Sequence, residues 1–246
     1  MLVDSKYRRY LLSIQDGGAF QNHAGEVPHA DIVGLLDASE VKSTKGQVFR
    51  VYRPTLADFV LKMKRGAQVI YPKDLGPLLM IADIYPGARV VESGVGSGAL
   101  SMTMLRAGAH VEGIELREDF ALRAQRNVAA FLGEEAVARY DVTIGSSYEG
   151  LGDGPPADRV VLDLPEPWQC VEHARERLRP GGLLVSYNPS IVQAGRMRTA
   201  MSEAPFDLGE TIEVLNRGWH IDGDAVRPDH RMVAHTGFLT SARLLA

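Results

Sequence analysis

The chain has 246 residues, of which 45% are hydrophobic, and it carries a formal net charge of −4 with an isoelectric point near 6.0. A chain of this length can bury a substantial core, which excludes disorder as its main state. We expect neither a membrane span, because the apolar stretches fall short of ~20 residues, nor secretion, because no apolar leader is visible. Cys170 is the single cysteine, which excludes an intrachain disulfide and a cysteine-clustered zinc site and favours a reducing cytoplasm.

Basic residues are concentrated in one stretch of the first third of the chain. Between Lys42 and Lys73 the only acid is Asp58. Such a stretch is a candidate phosphate-binding surface, even though the overall charge is acidic. The alternative is a solvated face on which lysine stems cover apolar surface. The basic residues are Lys42, Lys45, Arg50, Arg53, Lys62, Lys64, Arg65 and Lys73.

The first third of the chain is predicted to form a small β-rich domain, residues 1–65. Short segments that favour strands alternate there with turn signals. Thr55, which follows a proline, marks the start of a helix over residues 55–63, and a loop at 65–68 comes next. The predicted strands cover residues 7–14, 32–36 and 47–52.

From residue 66 onward predicted helices alternate with apolar strands, which is typical of βαβ units in a mostly parallel sheet. Asp74 is expected to cap a helix that runs to residue 84. We therefore expect an α/β catalytic domain at residues 66–246. Its predicted strands are residues 88–92, 110–115, 159–163, 183–187, 211–216 and 236–245, and its predicted later helices are residues 99–106, 119–131 and 171–178.

Three glycines follow the first predicted strand of this domain, in Glu92-Ser93-Gly94-Val95-Gly96-Ser97-Gly98. Strand ends of this kind bind ligands in α/β sheets, and glycine brings the backbone close to them. Nicotinamide enzymes usually carry G-x-G-x-x-G, whereas G-x-G-x-G beside an acid suits a cationic ligand. S-adenosylmethionine fits, because Glu92 can face its positive end while amides of residues 97–100 meet its carboxylate. The alternative is a tight turn without a ligand.

An acid also ends the next predicted strand. Glu115 is placed to accept hydrogen bonds from the two hydroxyls of a ribose. Both cofactor classes use an acid in this way, so Glu115 does not discriminate between them. The alternative is a surface carboxylate.

A stiff acidic loop follows a later apolar strand. Its sequence is Asp163-Leu164-Pro165-Glu166-Pro167-Trp168, and the two prolines remove amide donors and restrict the backbone. An acid and an indole in a rigid loop suggest recognition of a base. Together with Tyr71-Pro72-Lys73-Asp74, the stretch 92–100 and His235-Thr236-Gly237-Phe238-Leu239, this loop resembles the tRNA adenine-58 N1-methyltransferase family.

The resemblance runs through nearly the whole chain. It is greatest to bacterial and actinobacterial members, which share the stretch 65–74 and Arg217-Gly218-Trp219. It implies a class I S-adenosylmethionine-dependent methyltransferase fold, Rossmann-like and mostly parallel with an antiparallel last strand, beside a small N-terminal β-rich domain. It also implies tRNA as the partner, methylation in the T loop and a homotetramer, with no metal and no membrane.

By position, the resemblance implies roles for single residues. Glu115 would bind the cofactor's ribose, and Asp163 would lie between the cofactor and the target adenine. Where the family commonly has an acid that recognises the cofactor's adenine, this chain has Ser146 and Ser147, which bind it more weakly. Tyr148 or Glu149 could serve instead. The residues expected around the cofactor are Glu92, Gly94, Gly96, Ser97, Gly98, Ala99, Leu100, Glu115, Phe120, Ser146 and Asp163.

The expected chemistry depends mainly on positioning. Adenine N1 keeps a lone pair at neutral pH and can attack the sulfonium methyl directly. A carboxylate that accepts a hydrogen bond from the exocyclic N6 would stabilise the growing positive charge, and Asp163 is the candidate for this catalytic role rather than a mere strand-end acid. A base taken out of its stack also needs aromatic surface. The candidates for substrate binding, each with a structural alternative, are Tyr71, Trp168, Tyr187 and the non-catalytic His235.

Three other functions are compatible with parts of this pattern. The glycine loop and Glu115 would serve a methyltransferase that acts on a protein or a small molecule. A degenerate, non-catalytic tRNA-binding subunit is a second alternative, against which the intact residues 92–98 and Asp163 argue. A nicotinamide oxidoreductase is the third, and binding of NAD in place of S-adenosylmethionine would favour it.

Overall fold

The computed structural model describes residues 1–66 and 68–246. The chain divides into two units, Met1–Met63 and Lys64–Ala246. Within the loop expected at residues 65–68, Ala67 lies outside the described residues.

The first unit is built on an antiparallel sheet in the order β2-β1-β6-β5, together with a separate β3-β4 hairpin. Leu2, Val27, Val41 and Phe49 form its buried core. The rings of Phe20 and Phe49 meet edge to face, with their centroids 5.7 Å apart. Its strands are β1 (Leu2–Asp4), β2 (Arg9–Tyr10), β3 (Ala19–Asn22), β4 (Gly25–Pro28), β5 (Glu40–Lys42) and β6 (Val48–Val51).

The predicted strands of this unit are confirmed only in part. Residues 47–52 contain β6, but the strand expected at residues 7–14 shrinks to β2. The chain turns before β2, since Asp4 accepts the amides of Lys6 and Arg8, both at 2.9 Å. The strand expected at residues 32–36 is wrong. This segment is a turn with exposed apolar side chains, and Gly34 has a φ of +84° that no strand adopts.

The helix expected after Thr55 is confirmed as α1 (Leu56–Lys62). Thr55 and Asp58 form a capping box, in which each side chain accepts the backbone amide of the other residue, at 3.1 and 3.2 Å. This arrangement satisfies two amides at the helix start that have no partner within the helix.

The second unit is an α/β domain around a seven-stranded sheet in the order β12-β15-β11-β10-β7-β8-β9. All neighbouring pairs from β11 to β9 are parallel, whereas β15 is antiparallel to both β11 and β12. This is the expected mostly parallel sheet with an antiparallel last strand. The strands of this sheet are β7 (Arg89–Ser93), β8 (His110–Glu115), β9 (Tyr140–Ile144), β10 (Ala157–Leu162), β11 (Leu178–Asn188), β12 (Phe206–Glu213) and β15 (Phe238–Leu244). A separate hairpin consists of β13 (Trp219–Asp222) and β14 (Ala225–Pro228).

Helices cover both faces of this sheet, so its central strands read as continuous apolar runs. β10 runs Val160-Val161-Leu162, and all three side chains are fully buried. No helix in the described part of the chain is long and apolar enough to cross a membrane. The helices of this unit are α2 (Pro72–Ile81), α3 (Ala99–Arg106), α4 (Glu118–Leu132), α5 (Glu134–Val137), α6 (Val171–Arg177) and α7 (Ile191–Glu203).

Two expectations for α2 are wrong. The helix starts at Pro72, so Asp74 lies inside its first turn and is not the cap. The Asp74 carboxylate is instead buried, where it binds the Lys73 ammonium at 2.8 Å and the Thr236 hydroxyl at 2.6 Å. The helix also ends before residue 84, because Asp83 adopts a φ of 48°.

Sequence analysis missed helices α5 and α7, strand β9 and the hairpin of β13 and β14 in the second unit. Helix α7 buries only Ala194, Met197 and Met201, an apolar stripe too narrow to stand out. Strand β9 is short and half exposed. The hairpin of β13 and β14 lies within the segment expected to be a polar loop.

The buried Lys73–Asp74 pair ties α2 to the C-terminal part of the domain, because Lys73 Nζ also donates to the Val214 carbonyl at 2.5 Å. We expect Asp74→Asn to leave a buried ammonium without its counter-charge and to lower the free energy of unfolding by about 3 kcal/mol. Urea denaturation measures this change. The matched control is Asp119→Asn, which breaks an exposed pair with Arg117 and should leave the midpoint nearly unchanged. Equal effects of the two variants would contradict the anchoring role.

Candidate active site

A cavity of about 630 Å³ opens at the carboxyl ends of β7, β8, β9 and β10. Ligands of open α/β sheets bind at this end of the strands. Seven of the predicted site residues line the cavity, and several residues missed by sequence analysis line it with them. The seven are Gly94, Gly96, Glu115, Phe120, Ser146, Asp163 and Tyr187.

The glycine loop, residues 93–98, connects β7 to α3. Gly94, Gly96 and Gly98 have φ values of 85°, 56° and 80°, a region that other residues rarely adopt. A Cβ atom on Gly94 would lie 2.1 Å from the Asp163 carbonyl oxygen. A Cβ on Gly98 would lie 3.1 Å from Ala124 of α4. The glycines are therefore needed for the turn, for the approach to Asp163 and for helix packing.

Glu92 is fully buried behind this loop and is not among the described residues that line the cavity. Its Oε2 accepts the Ser101 hydroxyl at 2.6 Å, and that hydroxyl lies 2.9 Å from the Tyr140 oxygen. Burial raises the pKa of Glu92 to about 8 against the opposing effect of the Ser101 hydrogen bond, and the charges of Asp163 and Glu115 add to the rise. Its Oε1 has no partner among the described residues.

Glu115 ends β8 and is 8% exposed, so it is not a surface carboxylate. Oε2 accepts the Gly96 amide at 2.8 Å, and Oε1 accepts the Arg117 amide at 3.0 Å. Glu115 thereby fixes the glycine loop and keeps further lone pairs for a ligand. The guanidinium of Arg117 lies over the Phe120 ring at 3.8 Å, and both residues line the cavity.

Ser97, Gly98, Ala99 and Leu100 lie at the start of α3, which no side chain caps. The first amides of a helix have no partner within it and attract anions. Ser97 is buried and its hydroxyl has no partner among the described residues. These groups can hold a carboxylate.

The acidic loop, residues 163–168, begins where β10 ends. The Asp163 amide donates to the Ser93 carbonyl at 2.9 Å, which joins this loop to β7. Burial, followed by the charge of Glu115, raises the pKa of Asp163 to about 7. Asp163 is thus a carboxyl group that changes its ionisation near neutral pH.

Two further contacts hold the acidic loop. The Glu166 amide donates to the Tyr148 hydroxyl at 3.3 Å, and Gln193 Nε2 donates to the Pro165 carbonyl at 3.0 Å. Tyr148, Pro165 and Gln193 all line the cavity. Gln193 was missed by sequence analysis, but Ser190-x-x-Gln193 is a capping signal that could have revealed α7 and this residue.

The two serines after β9 differ in their environment. Ser147 is buried, and its hydroxyl is bonded to that of Ser93. The Cys170 thiol donates to the Ser147 carbonyl at 3.3 Å. Both serines line the cavity, and Ser146 is the more exposed of the two. Ser146 is therefore the serine of this pair that can meet a ligand with its side chain.

Tyr187 lines the cavity and donates its hydroxyl to the Thr236 carbonyl at 2.6 Å, while burial raises its pKa to about 12. Tyr71, Trp168 and His235 are not among the described lining residues. Tyr71 precedes α2, and Trp168 packs against the core with Arg196 stacked 5.2 Å away. His235 contacts Glu213 at the end of β12 and Pro189 just after β11, the two strands on either side of β15.

Lys73 does not belong to a phosphate-binding surface. Its side chain is only 4% exposed and is paired with Asp74. The count of charges between Lys42 and Lys73 could not distinguish this buried lysine from solvated ones. No group of His, Cys, Asp and Glu within residues 1–66 and 68–246 could hold a metal ion.

Comparison with known proteins gives consistent matches along the chain. The family model described as "tRNA methyltransferase complex GCD14 subunit" matches residues 48–226, and one described as "TrmI-like N-terminal" matches residues 1–41. The chain is 37% identical to tRNA (adenine(58)-N(1))-methyltransferase TrmI of Thermus thermophilus, over 99% of the chain and 95% of that protein.

Two further proteins extend this comparison. The tRNA (adenine(57)-N(1)/adenine(58)-N(1))-methyltransferase TrmI of Methanocaldococcus jannaschii is 33% identical over 99% of this chain and 94% of its own length. A crystal structure of a SAM-dependent O-methyltransferase from Thermotoga maritima superposes with a TM-score of 0.93 at 27% identity, over all of this chain and 92% of that one. The fold is that of class I methyltransferases. With matches of this extent, the chain belongs to the tRNA (adenine(58)-N(1))-methyltransferase family.

Proposed function

We propose that the protein transfers the methyl group of S-adenosylmethionine to N1 of adenine 58 in the T loop of tRNA. The observation that carries this function is the 37% identity to the Thermus thermophilus enzyme over 99% of the chain. The cavity supports it, because the glycine loop, Glu115 and Asp163 meet there.

The residues around the glycine loop fit S-adenosylmethionine. The first amides of α3, which no side chain caps, and the Ser97 hydroxyl suit the cofactor's carboxylate. Glu115 suits its ribose, and Ser146 and Tyr148, which line the same cavity, are proposed to recognise its adenine. When bound, the cofactor supplies a methyl group on a positively charged sulfur. A cation at this site favours the ionised form of the nearby Glu92.

Asp163 is proposed to act on the target base. Adenine N1 needs no base to remove a proton, because its lone pair is free at neutral pH. Methylation makes the ring positive, and an ionised Asp163 that accepts a hydrogen bond from N6 stabilises that charge. Its close approach to Gly94 of the glycine loop supports a role between the two proposed binding sites.

Aromatic residues are proposed to receive the extracted base. Tyr187 lines the cavity, and Gly237 packs so closely against its ring that a Cβ there would be 2.4 Å from Tyr187 Cζ. Tyr71 is retained as a second candidate for stacking. Trp168 ends the acidic loop and is proposed to anchor it, since it packs on the core and on Arg196.

The function is tested by transfer of labelled methyl to unmodified tRNA with identification of the product nucleoside. We expect N1-methyladenosine, and a loss of roughly 100-fold in kcat/KM for Asp163→Ala. Asp153→Ala, a change of an exposed aspartate, is the control and should retain full activity. An O-methylated product, or cofactor binding without any tRNA methylation, would contradict the proposed substrate.

The pKa of Asp163 predicts a pH dependence of this reaction. Because the ionised carboxylate is the active form and its pKa is about 7, kcat/KM should rise as the pH increases through about 7. Asp163→Asn should be slow and should lack this rise. A rise that persists in Asp163→Asn would assign it to another group.

The approach of Gly94 to Asp163 is tested by a matched pair of alanine variants. Gly94 and Gly87 share a φ of +85°, but a Cβ on Gly87 has no neighbour within 4 Å. Both variants carry the backbone strain of roughly 1 kcal/mol. Only Gly94→Ala should also displace the acidic loop and abolish binding of S-adenosylmethionine, as measured by calorimetry. Equal cofactor affinity in the two variants would show that the close approach is not needed.

A homotetramer in the cytoplasm is proposed for the assembled enzyme. Within the hairpin of β13 and β14, the apolar side chains of Trp219, Ile221 and Val226 are exposed. Such residues are suited to contacts between copies of the chain. The buried, single Cys170 suits a reducing compartment. Sedimentation of the purified protein should give the mass of four chains, and a monomer at micromolar concentration would exclude this assembly.

A further inference from the structure

His235 connects the ends of two strands on either side of β15. It precedes β15, which pairs with β11 at Asn188 and with β12 at Glu213. The imidazole Nδ1 lies 2.7 Å from Glu213 Oε1, and Nε2 lies 2.9 Å from the Pro189 carbonyl oxygen. One side chain therefore holds the residue after β11 against the last residue of β12.

Both partners of this imidazole are acceptors. A proline carbonyl can only accept, and an ionised Glu213 can only accept. A neutral imidazole has a single N–H, so it can donate to one of them only. Both contacts form together when His235 is an imidazolium with a proton on each nitrogen.

Pro189 connects His235 to the wall of the cavity. Pro189 lines the cavity, and the next residue, Ser190, caps α7 by accepting the Gln193 amide at 3.2 Å. The Ser190 hydroxyl also orients the Gln193 side chain through Oε1 at 2.8 Å. Gln193 Nε2 then donates to the Pro165 carbonyl at 3.0 Å, two residues after Asp163.

We propose that His235, as an imidazolium between Glu213 and the Pro189 carbonyl, is a positioning residue that holds the acidic loop at the cavity through α7 and Gln193. This inference rests on the proposed function, because the acidic loop carries Asp163. His235 acts through Pro189 and does not line the cavity itself.

The charges around His235 set the direction of its pH dependence. The hydrogen bond to Glu213 and then that to the Pro189 carbonyl raise the pKa of His235 above its ordinary value of 6.5, while the nearby Lys73 ammonium opposes them. The two hydrogen bonds that His235 donates, to Glu213 and to the Pro189 carbonyl, are here called the clasp. The clasp is complete below the pKa of His235 in the folded protein and is lost as the pH rises through that pKa.

The first test follows protonation and loop position without any turnover. NMR of the full chain labelled with ¹⁵N-histidine, with the His235 signal assigned by its loss in His235→Gln, should show both nitrogens protonated below a midpoint above 6.5. In a Trp219→Phe background Trp168 is the one remaining tryptophan and reports on the acidic loop. Its fluorescence should change with the same midpoint.

Two variants test whether the protonation of His235 controls the position of the acidic loop. Glu213→Gln should lower both midpoints together, because the counter-charge is lost. Gln193→Leu should abolish the fluorescence change and leave the titration of His235 in place, because the link to Pro165 is broken. Fluorescence that is flat with pH, or whose midpoint stays fixed in Glu213→Gln, would overturn the proposal.

Activity gives a second, independent readout. Below the midpoint, His235→Gln should reduce kcat/KM for tRNA by about two- to five-fold, the range expected for an exposed ion pair. Above it, the variant should approach the wild type, which has then lost the clasp as well. His23→Gln, a change of an exposed histidine in the first unit, should match the wild type at every pH. A deficit that is equal at all pH values would mark His235 as merely structural. Absence of tRNA methylation by the wild type would defeat the proposed function, while the NMR and fluorescence results would still decide on the clasp.

Discussion

The backbone contact between Gly94 and the Asp163 carbonyl is the constraint on which the site depends. It exists because β7 and β10 are neighbours in the sheet and both end at this point. The Asp163 amide bonds to Ser93, and no side chain fits at Gly94. The loop that suits a cofactor and the loop that suits a base are therefore joined as one rigid unit, which is what an in-line transfer between two bound molecules requires.

The same constraint brings three carboxyl groups together. Glu92, Glu115 and Asp163 lie around the glycine loop, and burial with mutual repulsion raises the pKa of Glu92 to about 8 and that of Asp163 to about 7. A carboxyl group whose pKa is higher in the folded than in the unfolded state contributes most to stability when it is protonated. This contribution to stability is therefore lost as the pH rises from the ordinary values of 4.5 and 3.8 to these raised values. A positively charged ligand relieves the repulsion. The site is therefore suited to a cation, and the protein without a ligand is less stable for it.

More of the residues expected around the cofactor line the cavity than of those expected at the substrate, for a physical reason. The glycine loop is a run of consecutive residues after β7, and Glu115 is the last residue of β8, so both can be recognised from local sequence. Both lie at the same cavity. Lys73 was counted with the free cations, but it is buried. A local charge count could not show this, because its partner Val214 lies 141 positions away along the chain. Helix α7 was not predicted because its buried apolar stripe is narrow, and Gln193 in its first turn was therefore not recognised as a site residue. Turn geometry, as at residues 32–36, depends on backbone angles that apolar composition does not report.

The two sides of the site also differ in how freely they can change during evolution. A motif of consecutive residues can keep its geometry whatever surrounds it, so the cofactor side can be common to enzymes that act on different molecules. The substrate side is assembled from the β11–α7 turn, the acidic loop and the segment before β15, which meet only through long-range contacts such as His235 with Pro189. A change in any one of these segments alters the wall of the cavity without touching the glycine loop. The shape of this wall therefore depends on the packing of the C-terminal half of the domain, and the glycine loop alone cannot reveal it.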